Sequence, residues 1–196
     1  MSVIEYRNLL YEVSEKIAWT TERRRLLFIC KIFLPDGCES NIQDVLSLLI
    51  KLEEENQLGI DSLEVLKDLL ERMEKWSLLE IVEKFENKRK EYKSLLEQCR
   101  RVLDECSQLE RLISVCEGKI SHDRQGHITD VCTLFAELEK QNNLGIKRLD
   151  ILKTMAIEME KPDLLEQVEE FEKKRKQEEA AEREQKSRRK SQGMAP

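Results

Sequence analysis

The stretch NQLGIDSLEVLKDLL at residues 56–70 recurs 86 positions later as NNLGIKRLDILKTMA at 142–156. The same offset aligns residues 6–90 with 92–176 without a gap, and roughly a third of the aligned positions are identical. Shared helical composition alone does not keep two segments in register over such a length. The chain is therefore a tandem duplication, and its fold is one small unit built twice.

The composition predicts a helical protein. Charged residues make up 38% of the 196 residues and hydrophobic residues 40%, with only three prolines and six glycines. The net charge of −6 arises from intermixed acids and bases, which disfavours a general nucleic-acid binder. The sequence shows neither an apolar run after the initial Met-Ser nor an apolar stretch of about 18 residues. We therefore expect no signal peptide, no contact with a membrane and a cytoplasmic location, with the nucleus as an alternative.

No residue set for catalysis or for a cofactor is visible. The sequence lacks a Gly-rich phosphate loop, GxSxG and HExxH, so we expect no enzyme activity, no cofactor and no small-molecule substrate. A zinc site of Cys116, His122, His127 and Cys132 is disfavoured, because no short CxxC-type pair is present and copy one has no counterpart of the histidines. The six cysteines are expected to be reduced, with Cys30, Cys116 and Cys132 on apolar helix faces.

Each copy divides into five or six short helices around one small core. In the first copy, apolar spacing predicts helices at about 4–17, 21–33, 42–52, 62–73 and from 78 onward. We expect Thr20 or Thr21 to cap the second of these helices, and Asp61 or Ser62 to cap the fourth. Gly59 is expected to supply the left-handed turn that precedes the fourth helix, and the Leu before it to be a core residue.

Two domains and a tail follow from the repeat. We place the first domain at 1–90, the second at 91–176 and a charged tail, helical or disordered, at 177–196. Neither Pro nor Gly occurs from 78 to 106, so one helix is expected to join the domains and pack them rigidly. Basic clusters at 173–176 and 188–190 resemble a split nuclear import signal. The first cluster, however, has a counterpart in copy one, where cations suit a helix C-terminus.

The second helix carries apolar residues on its solvent side. At 100° per residue, Phe28 lies about 160° from the middle of the inward stripe, with Ile32 beside it and the cations Arg24 and Lys31 on either side. Such a patch is typical of a docking site. The alternatives are that Phe28 packs against the neighbouring repeat or is exposed without a role. Copy two has Ser114 at this position, so the copies present unlike faces. The inward stripe itself consists of Leu26, Ile29, Cys30 and Phe33.

These features resemble the tandem death effector domains of initiator caspases and FLIP-type inhibitors. The opening RNLLYEVSEKI and the later LLFICKIFLP are particularly similar to the caspase members, and the resemblance covers residues 1–176. It implies an all-α fold of two tandem antiparallel six-helix bundles of the death-domain superfamily. It also implies a hydrophobic patch on the second helix, matched by Phe28, Ile29 and Cys30, and homotypic assembly in death-receptor signalling.

The resemblance further implies a charge network between an acid on the second helix and an RxDL motif before the sixth. In copy one the acid is Glu22 and the motif is KWSL, with Lys75 in place of the Arg and no Asp. In copy two Gln108 replaces the acid, and the motif is KPDL, with Lys161 and Asp163. Because Lys lacks the bidentate geometry of Arg, we expect weakened networks in both copies.

The predicted function is that of a non-catalytic adaptor or regulator of apoptosis signalling. The resemblance implies binding to death effector domains of the Fas-associated adaptor, initiator caspases and FLIP-type proteins, as well as self-assembly. An alternative is the isolated prodomain of a caspase-like cysteine protease, since no protease domain and no QAC[RQG]G pentapeptide is present. A third reading is a nuclear factor that binds nucleic acid through its basic tail. The expected docking residues are Phe28, Ile29, Ile32, Arg24, Lys31, Glu22, Lys75, Lys161 and Asp163.

Overall fold

A computed structural model of the chain describes residues 3–104 and 108–192, and these residues form helices and turns but no β-strand. The helices of the first compact unit are α1 (Val3–Lys16), α2 (Trp19–Cys30), α3 (Val45–Glu54), α4 (Glu64–Arg72) and the first part of α5 (Trp76–Asp104). A 3₁₀ turn, Cys38–Asn41, stands between α2 and α3 as a sixth element. The second unit contains the end of α5, followed by α6 (Leu109–Val115), α7 (His122–Gln125), α8 (Val131–Lys140), α9 (Asp150–Glu158) and α10 (Pro162–Gln192).

The predicted fold class, two tandem all-α units, is confirmed. The chain separates into compact units between Tyr92 and Lys93, a position inside α5. The helix expected to run from one copy into the next is therefore continuous as far as Asp104. The domain limits at residues 90 and 176, and the rigid packing of the two domains, stay predictions.

The core of each unit is built from the predicted apolar stripes. In the first unit α1 packs on α3 and α2 on α4, and in the second α9 packs on both α6 and α10. The leucine of the repeated NxLGI pattern is buried in both copies, as Leu58 and Leu144. Burying one such side chain stabilises the fold by about 1.5–3 kcal/mol. The inward residues expected around α4 are buried as well: Leu63, Leu66, Leu70 and Met73.

The same capping box begins the third helix of the first unit and its counterpart in the second. The Asp44 carboxylate accepts a hydrogen bond from the Ser47 amide at 2.6 Å, while the Ser47 hydroxyl accepts from the Asp44 amide. Asp130 and Thr133 repeat this exchange at the start of α8. A reciprocal pair of this kind satisfies two backbone donors that the helix leaves open.

The predicted N-caps are wrong at two helices. Helix α2 follows Ala18, which provides no side-chain cap, and the Thr21 hydroxyl donates back to the Ala18 carbonyl at 3.2 Å. Helix α4 follows Leu63 rather than the expected Asp61 or Ser62. The Asp61 carboxylate is not available for capping, because it binds an arginine of α5.

The end of α2 also differs from the predicted helix. The α-helix stops at Cys30 and tightens into a 3₁₀ turn, Lys31–Phe33. Pro35 gives the reason, because the residue that precedes a proline is driven out of helical geometry. Leu34 is accordingly extended, with φ −110° and ψ 142°.

The residue that adopts the left-handed conformation after α3 is an asparagine and not the predicted glycine. Asn56 and Asn142 have φ of 57° and 58°, and asparagine tolerates this region better than other side chains do. The two amides that follow Asn56 donate to the Leu52 carbonyl at 2.9 and 3.2 Å, which closes the end of the helix. Gly59 comes after this turn and exchanges two backbone hydrogen bonds with Ser62, both 3.0 Å long.

An arginine buried near the end of the first domain shows where the copies diverge. Arg89 is only 9% exposed, and its guanidinium donates to both carboxylate oxygens of Asp61, at 2.9 and 3.4 Å. The sequence of copy two keeps the arginine but has Lys147 in place of the aspartate. A cation at that position cannot pair with an arginine, so copy two needs a different arrangement of charges.

In the second unit, glutamates on the continuation of α10 supply the pairing charges. Lys147 pairs with Glu179 at 3.1 Å, and Arg175, the counterpart of Arg89, pairs with Glu178 at 2.7 Å. Both glutamates lie beyond the repeat, in the segment expected to be helical or disordered. Its backbone is helical as far as Gln192. The side chains of 188–190 lie outside those described, and the import signal stays a prediction.

One ion-pair arrangement is retained in both copies. Glu86 on α5 pairs with Lys67 of α4 at 2.7 Å and with Lys90, one turn further along its own helix, at 2.8 Å. Glu172 pairs with the two aligned lysines of copy two. The hydrogen bond from Lys67, followed by that from Lys90, holds the pKa of Glu86 below its ordinary value.

Candidate docking face

Helix α2 and the 3₁₀ turn that follows it place an apolar pair on the surface of the first domain. Leu26 and Cys30 are buried on its inner side, where α2 packs on α4. Phe28 is 79% exposed, and Ile32, one turn further along the chain, is 81% exposed. This arrangement is the one that the helical spacing predicted.

The flanking residues give this surface a positive rim. Arg24 precedes Phe28 by one turn and Lys31 follows it, and both side chains are exposed. Neither cation forms an ion pair within residues 3–104 or 108–192. We call the surface formed by Arg24, Phe28, Lys31 and Ile32 the Phe28 face. Ile29, expected both in the inward stripe and in the docking patch, is half-buried between the two sides of the helix.

Glu22 and Lys75 of the predicted charge network are brought together. The Lys75 ammonium lies 2.7 Å from one Glu22 carboxylate oxygen, and both side chains are half-buried. The other carboxylate oxygen is buried and has no hydrogen-bond partner among the described atoms. A lysine presents a point charge and not the planar fork of an arginine, which is why it engages one oxygen only. Arg25 adds a second link between α2 and the turn before α5, through the Arg72 carbonyl and Glu74.

The corresponding residues of copy two are not brought together. Gln108 accepts a hydrogen bond from Arg111 at 3.3 Å, one turn along the same helix. Lys161 is half-buried and Asp163 is exposed, and neither forms an ion pair in the described part of the chain. Arg111 instead approaches Glu158 of α9 at 4.0 Å.

Further exposed apolar residues were not singled out from the sequence. Trp76 is exposed at the first position of α5, and Tyr11 and Ile4 share one side of α1 at a spacing of seven residues. Ile157 is exposed on α9 of the second unit. The sequence signal for Trp76 was its place in the KWSL motif, where copy two has a proline.

The cysteines and histidines do not assemble into a metal site in the part of the chain that the structure describes. No group of three or more metal-ligating side chains occurs there. Cys30 and Cys116 are buried, as the apolar spacing predicted, whereas Cys132 is exposed, so the prediction is wrong for Cys132. Burial raises the pKa of the Cys116 thiol to about 12. Within the same described ranges, no helix is both long enough and apolar enough to cross a membrane.

The sequence model of the death effector domain matches this chain twice, at residues 6–88 and 92–174. The chain therefore belongs to the death effector domain family. It is 33% identical to caspase-8 of Rattus norvegicus over 76 residues, which are 39% of this chain and 16% of the rat protein. It is 23% identical to caspase-8 of Mus musculus over 184 residues, which are 86% of this chain and 37% of the mouse protein. The chain thus spans well under half of either relative.

These matches bear on how the Phe28 face is interpreted. The chain is a tandem repeat of a protein-interaction domain, and it is related to proteins of apoptosis. An exposed apolar pair on an interaction domain is a candidate contact surface.

Proposed function

We propose that this chain is a non-catalytic regulator of apoptosis signalling in the cytoplasm, which binds other death effector domains through the Phe28 face. Its partners in this proposal are the Fas-associated adaptor, initiator caspases and FLIP-type proteins. The observation that carries the proposal is the exposure of Phe28 and Ile32, at 79% and 81%, on a domain of this family.

The energetics favour this face as a contact surface. Burying Phe28 and Ile32 against a partner stabilises the complex by about 1.5–3 kcal/mol for each side chain. Fixing a side chain at an interface costs about 0.5–1.5 kcal/mol, and the cost for phenylalanine is low because it has few rotatable bonds. A net gain therefore remains for both residues. The cations Arg24 and Lys31 favour a partner surface that carries acids around an apolar centre.

The unlike faces of the two copies support a regulatory role. Copy two has Ser114 and Gly118 where copy one has Phe28 and Ile32. One domain can then bind a partner while the aligned surface of the other cannot bind in the same way. In this proposal the first domain joins a signalling assembly, and the second limits the addition of further molecules of the same partner.

The prodomain of a caspase-like cysteine protease is the second candidate function. It is favoured by the 184-residue alignment with mouse caspase-8, which covers 86% of this chain. Sequencing the transcript beyond the codon for residue 196 decides between the two. A protease domain in the same reading frame establishes the prodomain, whereas a stop codon establishes the short regulator.

The docking proposal is tested with Phe28→Asp. The full chain is passed over immobilised death effector domain of the Fas-associated adaptor, and bound protein is measured over a range of concentrations. Loss of apolar burial and introduction of a carboxylate weaken capture by about 100-fold or more. Ser114→Asp, a change at the aligned position, which is also exposed, is the matched control and leaves capture intact. Unchanged capture by Phe28→Asp, with its helical circular dichroism retained, would remove the Phe28 face from the proposal.

A further inference from the structure

The segment between α2 and α3 contains no buried residue. Residues 31–41 include a 3₁₀ turn at each end, and every side chain among them is exposed or half-buried. The backbone hydrogen bonds donated by Leu34, Cys38 and Ile42 are 3.3 or 3.4 Å long, beyond the usual range of about 2.7–3.2 Å. Opening this segment therefore exposes little apolar surface and breaks weak bonds, so it opens more easily than the helices on either side.

The aligned segment of copy two is held more tightly. Ile120, the counterpart of Leu34, is buried, and the short helix α7 follows it. The amides of Lys119 and Arg124 donate backbone hydrogen bonds at 2.9 Å, and the Asn143 side chain donates to the Lys119 carbonyl at 2.6 Å. Opening this segment costs both the burial and these bonds, so the two copies differ in how easily a protease can reach their backbones at this place.

An aspartate followed by a glycine lies in the middle of residues 31–41. Both residues are exposed, and the Asp36 carboxylate forms no hydrogen bond or ion pair within residues 3–104 or 108–192. Gly37 has φ 79°, and apart from its chain neighbours no atom lies within 4 Å of the position that a Cβ would occupy. Exposed loop tips with small and polar residues are preferred sites of proteolytic cleavage. The bond between Asp36 and Gly37 is therefore accessible from both of its ends.

The other aspartates are bound or lie within helices. Asp44 and Asp130 cap helices, and the Asp61 carboxylate binds Arg89. The remaining ones are helical residues: Asp68, Asp104, Asp123, Asp150 and Asp163. A protease that recognises aspartate therefore meets one accessible site, Asp36, in the part of the chain that the structure describes.

We propose that an aspartate-specific endopeptidase cleaves the bond between Asp36 and Gly37, and that this cleavage ends docking through the Phe28 face. The free carboxylate is the recognition element, because an arginine in a specificity pocket binds a carboxylate through two parallel hydrogen bonds. In a cysteine protease, the enzyme's thiolate attacks the Asp36 carbonyl carbon, and the Gly37 nitrogen accepts a proton and leaves as an amine. Water then hydrolyses the thioester and regenerates the thiol, so one peptide bond is broken and one water molecule is consumed.

The position of this bond determines what cleavage does to the first domain. Phe28 and Ile32 stay on the fragment 1–36, whereas α3, α4 and α5 stay on the fragment 37–196. Because α1 packs on α3 and α2 on α4, noncovalent packing alone then holds the fragments together, and they separate on dilution. The end of docking rests on the proposed role of Phe28, but the cleavage itself does not.

Limited digestion of the full chain tests the cleavage site. A purified aspartate-specific cysteine protease is added, and the products are identified by their intact masses. The wild-type chain gives residues 1–36 and 37–196 as its first products. Asp36→Glu keeps the charge but moves the carboxylate by one methylene, which lowers the initial rate of this cut by about 100-fold. Asp123→Glu, in the aligned segment of copy two, is the matched control and leaves the rate unchanged.

Three results overturn the cleavage site: a chain that the protease does not cut, a first cut at any other aspartate, or Asp36→Glu cut as fast as the wild type. Circular dichroism of each variant is the control for folding. The digested chain is then diluted and passed over the immobilised death effector domain of the adaptor, and capture of residues 37–196 is lost. If residues 37–196 are still captured, cleavage does not end docking. If Phe28→Asp retains capture while Asp36 is still cut, the docking proposal fails and the cleavage site stands.

Discussion

Asp61→Asn tests the contribution of the Arg89 pair to the stability of the first domain. The substitution keeps the size of the side chain and removes the charge that the guanidinium binds. Arg89 is 9% exposed, so water cannot readily replace the interaction that its guanidinium loses in the variant. The Asp61 side chain is 40% exposed, so the loss is smaller than for a fully buried pair.

The expected magnitude follows from the two hydrogen bonds. A hydrogen bond to a charged group contributes about 1.5–3 kcal/mol. The bond at 2.9 Å has normal geometry, whereas the one at 3.4 Å is too long to add much. We therefore expect Asp61→Asn to lower the free energy of unfolding by about 2 kcal/mol. For a slope of about 2 kcal/mol per molar urea, the unfolding midpoint falls by about 1 M.

The chain provides both a specific probe and a matched control. Its two tryptophans are Trp19 and Trp76, and both lie in the first unit, so their fluorescence in urea reports the unfolding of that domain. The control is Lys147→Asn at the aligned position of copy two. The Lys147 side chain is 64% exposed and its ion pair contributes about 0–1 kcal/mol. If Asp61→Asn leaves the fluorescence midpoint unchanged, or if Lys147→Asn lowers it equally, the stabilising role of the buried arginine is refuted.

Two further predictions concern titration and thiol chemistry. Glu86→Gln removes a carboxylate whose pKa is lowered in the folded state, so the wild type exceeds the variant in stability at pH 7 by about 1 kcal/mol. This difference is present above the unfolded pKa of about 4.3 and closes as the pH falls through the folded pKa; urea midpoints at pH 7 and pH 3 that show the same difference contradict the assignment. In the folded chain at pH 8, a thiol reagent modifies the exposed Cys132 before the buried thiols, and peptide mapping of quenched samples identifies the modified sites. Three thiols whose pKa burial raises to about 12 react only on unfolding, and their early modification contradicts the prediction: Cys30, Cys99 and Cys116.

The sequence predicted the helices and the core because both depend on a simple period. Apolar spacing placed Leu63, Leu66 and Leu70 in the interior, and all three are buried. The same spacing placed Phe28 outside, and it is exposed. The helical period therefore predicted which side of α2 faces the core and which side faces solvent.

The incorrect predictions concern residues whose type is compatible with more than one structural role. Asp61 precedes a helix and was expected to cap it, yet its carboxylate binds an arginine 28 positions further along the chain. Glycine is the usual residue in a left-handed turn, but the residue with left-handed geometry here is Asn56, which precedes Gly59 in the chain. Cys132 lies on a helix with a strong apolar side but not on that side. Such competition between local and distant partners cannot be resolved from spacing alone.

The ion pairs of α10 change where the second domain should be taken to end. The repeat with copy one stops at residue 176, and the family match stops at 174. Glu178 and Glu179 lie beyond both limits, yet they balance Arg175 and Lys147 of the domain. A fragment cut after residue 176, where the repeat ends, therefore keeps Arg175 and Lys147 but loses the two carboxylates that pair with them. For expression, deletion mapping or grafting, the functional length of this domain is set by charge balance and extends at least one helical turn past the limit that homology gives.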